Sequence, residues 1–82
     1  MDAETLEGVI RAFLRDELAL EREIGRDSPL VTTGLIDSPG LVHLATHLER
    51  MLGIAIPDRD INADHFDSIS AMLDYLRTRF RV

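Results

Sequence analysis

The sequence predicts an all-α domain: a small antiparallel four-helix bundle, three main helices plus one short helix, with a long ordered loop between helices one and two. Three observations carry that prediction. Three segments place apolar residues three and four apart, the spacing of one face of an α-helix. No segment of useful length alternates apolar and polar residues as a half-buried strand does. Glycine and proline fall between the periodic segments, where helices stop and turns begin. A chain of 82 residues makes one domain, 1–82, with a modest core.

The first stripe is Leu6, Val9, Ile10, Phe13, Leu14 and Leu18, which predicts a helix over about 3–18 with Asp2 as its N-cap. Glu7 and Arg11 stand one turn apart as a favourable pair. From Leu20 to Asp37 the period breaks at Gly25, Pro29 and Gly34, and Thr32-Thr33 favour extended backbone. Leu30, Val31, Leu35 and Ile36 lie inside this connection, so it is pinned to the core. The second helix runs from Ser38 to about Leu52 on the stripe Leu41, Leu44, Ala45, Leu48 and Leu52, and Gly53 ends it. Ile54-Ala55-Ile56-Pro57 is extended, because the residue before proline avoids helix. Residues 58–66 hold one or two short helical turns, with Ile61 and Phe66 buried. The last helix carries Ile69, Met72, Leu73, Leu76 and Phe80, with Asp67 as its N-cap and Asp67 with Ser70 as a capping pair. The expected core is Leu41, Leu44, Leu48, Ile56, Phe66, Ile69, Met72 and Leu73, a core that cargo enters in part.

Fifteen acidic residues against nine basic ones, all arginine, give a net charge of −6. An acidic surface opposes nucleic acid, whose phosphates need cations. It suits partners with basic patches. From Asp37 to Asp67 six acids face two arginines, a balance of −4. Arg77, Arg79 and Arg81 are placed to complement the negative end of the last helix. The absence of cysteine excludes disulfides and thiolate zinc sites. No apolar run has the length of a membrane span, and Met1-Asp2-Ala3-Glu4 lacks the basic start of a signal peptide. A cytoplasmic monomer, off the membrane, is the expectation.

The chain is not expected to be an enzyme. A domain this small has little room for a deep active site. The Gly-x-Ser-x-Gly elbow of serine hydrolases is missing, since Ile36 stands two before Ser38 and no strand precedes it. His43 and His47 share a helix face, but Glu49 is off it and a structural metal site needs four ligands. The helical wheel turns His43, His47 and Arg50 away from the Leu41–Leu48 stripe, so no metal is expected. Asp58, Asp60 and Asp64 lack the ligand spacing of a calcium loop.

Three Asp-Ser pairs remain: Asp27-Ser28, Asp37-Ser38 and Asp67-Ser68. Each suits a helix start, where Asp and Ser oxygens accept free backbone N–H groups. Ser28 precedes no long helix. Ser68 precedes the last element only. Ser38 differs: Asp37 is placed to cap, which leaves Ser38 in the first turn, where Pro39 is tolerated and Gly40 offers no side chain to crowd an approaching group. Free N–H groups and the helix dipole there favour a phosphate on Ser38.

Gly34-Leu35-Ile36-Asp37-Ser38, then Leu41-Val42, Leu44, Leu48-Glu49, then Gly53-Ile54-Ala55-Ile56-Pro57-Asp58 resemble an acyl carrier protein, and the similarity covers nearly the whole chain. The resemblance implies 4′-phosphopantetheine attached to Ser38, with Asp37 as the motif aspartate. It implies a phosphopantetheinyl transferase that installs the group from coenzyme A with magnesium. It also implies an acyl- or aminoacyl-loading ligase, and downstream synthases or transferases that read the second helix with basic patches. The cargo would be an acyl thioester of fatty-acid, polyketide or related biosynthesis. Pro39, Gly40 and His43 depart from the family's usual leucine and acidic residues, which makes this second helix less acidic than in a typical fatty-acid carrier. Asn62-Ala63-Asp64-His65-Phe66-Asp67-Ser68-Ile69 resembles stand-alone carriers served by dedicated ligases, including aminoacyl and peptidyl carriers, which is the alternative. A helical interaction module without a prosthetic group, with Ser38 only a cap residue, is the reading from another class.

Overall fold

In the computed structural model, which describes all 82 residues, α1 spans Ala3–Asp16. Asp2 caps it, its Oδ1 accepting the Thr5 N–H at 2.7 Å. Leu6, Ile10, Phe13 and Leu14 form its buried face. The helix stops before Leu18, short of the end that the apolar stripe predicts. The N–H groups of Glu17 and Leu18 both donate to Phe13 O, and Ala19 takes a left-handed φ of 54°, a conformation that costs an L residue roughly 1–2 kcal/mol. The chain leaves the helix there, and Leu18 packs against the core as part of the loop.

The connection over residues 17–37 is ordered by burial and by hydrogen bonds. Leu30 and Ile36 are buried, and Ile24, Val31 and Leu35 pack against the core. The Ile36 N–H donates to Leu30 O at 2.9 Å, closing a turn around Gly34, which takes a φ of 81°. Glu7 ties the loop to α1, bonding Arg11 at 2.8 Å and Arg26 at 2.6 Å. The Arg26 hydrogen bond, then that of Arg11, holds the Glu7 carboxyl below the usual carboxylate range.

Helix α2 spans Ser38–Leu52 and buries Leu41, Leu44, Ala45 and Leu48. Gly53 ends it with a left-handed φ of 66° and donates its N–H to Glu49 O, a conformation that glycine adopts without penalty. The Glu49 carboxylate turns back to accept the Ile56 N–H at 2.8 Å, which fixes the extended segment before Pro57. Asp58–Asp60 is a single 3₁₀ turn, and α3 is the short helix Ala63–Phe66 with Phe66 buried. Ile61 is half-buried. Helix α4 spans Ile69–Phe80. Helix α1 packs against both α2 and α4, and α3 packs against α4. All eight residues expected in the core are buried.

Two features were not legible in the sequence. Asp67 does not cap α4. Ser68 does, its Oγ accepting the Ala71 N–H at 3.0 Å. The Ser70 N–H is taken by Arg26 O at 2.9 Å, so no Asp67–Ser70 capping pair forms. Asp67 instead reaches the loop: one carboxylate oxygen accepts the N–H groups of Leu30, Val31 and Thr32 at 3.1, 2.8 and 2.9 Å, and the other accepts the Thr32 hydroxyl at 2.9 Å. These donors, led by the Thr32 N–H, hold the carboxyl below its ordinary range. The second feature is Tyr75, buried, whose hydroxyl donates to Asp60 Oδ2 at 2.7 Å. Burial, then this bond, pushes the phenol up to about 12.

Leu48→Ala removes a fully buried side chain and is expected to cost about 2–5 kcal/mol in denaturant unfolding. Asp67 binds its donors as a carboxylate, so its stabilising effect is full above the unfolded carboxyl pKa of ~3.9 and is lost as pH falls through the lower folded value. Asp67→Ala is therefore expected to lower the melting temperature at neutral pH and to speed amide exchange at Leu30, Val31 and Thr32. It should also shrink the stability lost on acidification. An unchanged exchange rate at those three amides would contradict this role.

Candidate functional site

The start of α2 is built by one side chain. Asp37 is the N-cap, in extended backbone, and its Oδ1 accepts the Gly40 N–H at 2.8 Å. Its carbonyl accepts the Leu41 N–H at 2.9 Å. This capping leaves Ser38 as the first helical residue, and its side chain is exposed. Ile36 is buried just before the pair, so the turn that carries Ser38 is anchored on the core side while its hydroxyl faces solvent.

The three Asp-Ser serines are chemically distinct in the fold. Ser28 Oγ accepts the Gly25 N–H at 2.9 Å inside the loop. Ser68 Oγ caps α4. Both are half-buried. The Ser38 hydroxyl has no hydrogen-bond partner in the chain, because Asp37 does the capping at its helix. Of the three, Ser38 alone has a hydroxyl that is exposed and unpaired.

Gly40 plays a different part from the one its sequence position suggests. It is buried, and a β-carbon there would stand 2.9 Å from Asp37 Oδ1, 3.5 Å from Ile36 Cγ2 and 3.6 Å from Leu18 Cδ2. Its smallness makes room inward, for the cap and for Leu18, and not outward for an approaching group. The anion seat expected at this helix start is also mostly filled. Pro39 has no N–H, and those of Gly40 and Leu41 are bonded to Asp37.

His43 is exposed and His47 half-buried, in keeping with their place off the leucine stripe, and both also contact α1. Their rings flank Phe13 of α1 at centroid separations of 4.8 and 4.7 Å, the first edge-on, the second tilted. Such aromatic pairs add to plain area burial, so the two histidines help to join α1 to α2. No acid or arginine occurs along α2 from Ser38 to Leu48. Val42, one turn from Ser38, is 55% exposed.

Comparison with protein-family models gives a match over residues 8–76 to the phosphopantetheine attachment site. The chain belongs to that family. Its domain is the site of covalent 4′-phosphopantetheine attachment, and this chain is a phosphopantetheine-carrying carrier protein. Carrier domains of this family interact with a phosphopantetheinyl transferase and with partner enzymes. A comparison with curated proteins finds no match. The matched span contains all three Asp-Ser pairs, so the distinction among them comes from geometry. No helix of the carrier is long and apolar enough to cross a membrane.

Proposed function

We propose that the carrier bears its 4′-phosphopantetheine on Ser38 and holds acyl intermediates for fatty-acid, polyketide or related biosynthesis. The observation that supports Ser38 is its exposed, unpaired hydroxyl on the first turn of α2, while Ser28 and Ser68 spend theirs on backbone N–H groups. When bound, the group supplies a terminal thiol that holds the cargo as a thioester. The chain's own residues provide the support. Asp37 fixes the first turn of α2 through the Gly40 N–H, and Ile36 with Leu41 anchors it to the core. The carrier is not itself an enzyme in this reading; the bond-making belongs to its partners.

Those partners are a phosphopantetheinyl transferase, a loading ligase, and the synthases or transferases that take the cargo onward. They meet the carrier beside Ser38, on the surface that includes Pro39, Val42 and Thr46. Glu49 is held by the Ile56 N–H, so this stretch offers a partner apolar and neutral polar contact in place of a row of carboxylates. The proposed setting is the cytoplasm, with the carrier a monomer.

The test is loading. With coenzyme A and a broad-range transferase, the wild-type chain should gain one phosphopantetheine by intact mass, and tandem mass spectrometry should find it on Ser38. Ser38→Ala should abolish the gain, and Ser28→Ala and Ser68→Ala should retain it. Retention in Ser38→Ala with loss in Ser68→Ala would move the site to Ser68.

A further inference from the structure

A thioester is lost to any amine, thiolate or imidazole that reaches its carbonyl carbon. All nine basic residues of the chain are arginine, and it has no cysteine. A guanidinium stays protonated and has no free electron pair to attack with, whereas a lysine amine gives up its proton when its surroundings favour the neutral form. The α-amino group of Met1 stands before α1, and Leu18, just past the other end of α1, lies beside Gly40 of α2. The 14 residues of α1, roughly 21 Å of helix, separate that amine from the start of α2. The three imidazoles lie against aromatic rings: His43 and His47 on Phe13 at 4.8 and 4.7 Å, and His65 on Tyr75 at 4.6 Å. His43 is five residues beyond Ser38, about 140° around the helix, on the side that α1 covers. Burial and the bond to Asp60 push the Tyr75 phenol up to about 12, so it stays protonated. The hydroxyls of Ser28 and Ser68 are engaged by backbone N–H groups.

From this we infer that the carrier is inert toward its own cargo: an all-arginine cationic surface, with every imidazole packed on an aromatic ring, leaves the acyl group to be taken only by a partner. The reaction that this surface prevents is an S-to-N transfer. A lysine nitrogen would bond to the thioester carbonyl carbon and the C–S bond would break. The arm's sulfur would leave as thiolate and take a proton, and the nitrogen would lose one to water. The acyl group would end as an amide on the chain, beyond the reach of the next enzyme. Holding the two groups on one chain makes such a step efficient even for a weak nucleophile. Arginine supplies the same charge without that route. The inference rests on a thioester carried from Ser38.

The experiment uses the full chain as wild type, Val42→Lys, Val42→Arg and His43→Ala, each loaded from acetyl-coenzyme A by a broad-range transferase. Val42 is 55% exposed and four residues beyond Ser38, about 40° around the helix, so an amine there stands on the side of the arm. The arginine variant matches its charge and carries no nucleophile. Tandem mass spectrometry first locates the arm; an arm on another residue overturns both the attachment site and this inference. With the arm on Ser38, intact mass is followed at mildly alkaline pH, and hydroxylamine then strips any acetyl group still held as a thioester. Wild type, Val42→Arg and His43→Ala should lose acetyl at the rate of free S-acetylpantetheine and keep none after hydroxylamine. Val42→Lys should empty its thioester roughly tenfold faster and keep the acetyl group as an amide on the new lysine. A hydroxylamine-resistant acetyl group on the wild type, or loss from it that His43→Ala slows, would overturn the inference and leave the attachment site intact. So would a Val42→Lys thioester that lasts as long as that of Val42→Arg.

Discussion

The Asp67 carboxylate is the interaction on which the rest of the fold depends. The connection over residues 17–37 is long, and long connections stay ordered only when their backbone polar groups find partners. Asp67 gathers three consecutive N–H groups, from Leu30 to Thr32, onto one oxygen and the Thr32 hydroxyl onto the other. The Asp67 carbonyl also accepts the Leu30 N–H at 2.7 Å. One residue between α3 and α4 thereby fixes the middle of a loop that is distant in sequence. Leu30 is buried as a result, and the Ile36 N–H bonds back to Leu30 O. That brings the chain to Asp37 in the extended conformation an N-cap requires. The placement of Ser38 is thus set in part by a carboxylate that never touches it.

A second tie acts on the other side of the loop. Glu7 of α1 holds Arg26, and the Arg26 carbonyl accepts the Ser70 N–H of α4. Loop, α1 and α4 are joined through a single short segment. Exposed ion pairs contribute little individually, but here the charge pair and the backbone bond act on adjacent groups of one residue. The result is a loop that behaves as a structural element, with α2 presented from its end.

The helices were legible in the sequence because their cause is periodic. Leu41, Leu44 and Leu48 recur at helical spacing, and burial of that face fixes α2. Gly53 was legible for a similar reason: its position just past the stripe is where a left-handed residue is needed. What the sequence hid is what depends on distant partners. Asp67 before an apolar run looks like a cap, and only the fold shows that Ser68 serves α4 while Asp67 serves the loop. The end of α1 was hidden too, since Leu18 continues the apolar spacing but packs from the loop, beside the break at Ala19. His43 and His47 lie off the leucine stripe, yet they meet Phe13, because α1 lies on that side of α2.

The same division explains the three Asp-Ser pairs. As dipeptides they are equivalent, and each places a carboxylate and a hydroxyl near a turn. The fold makes them unequal by deciding which oxygen of each pair the backbone recruits. At Asp67-Ser68 both side chains are recruited, the first by the loop and the second by α4. In the first pair the hydroxyl is recruited, by Gly25. At Asp37-Ser38 the carboxylate alone is recruited, by Gly40. A serine whose hydroxyl stays free has to be dispensable to its own helix start, and the aspartate immediately before Ser38 makes it so. Gly40 completes the arrangement from inside, because any side chain there would press on the carboxylate that frees the serine.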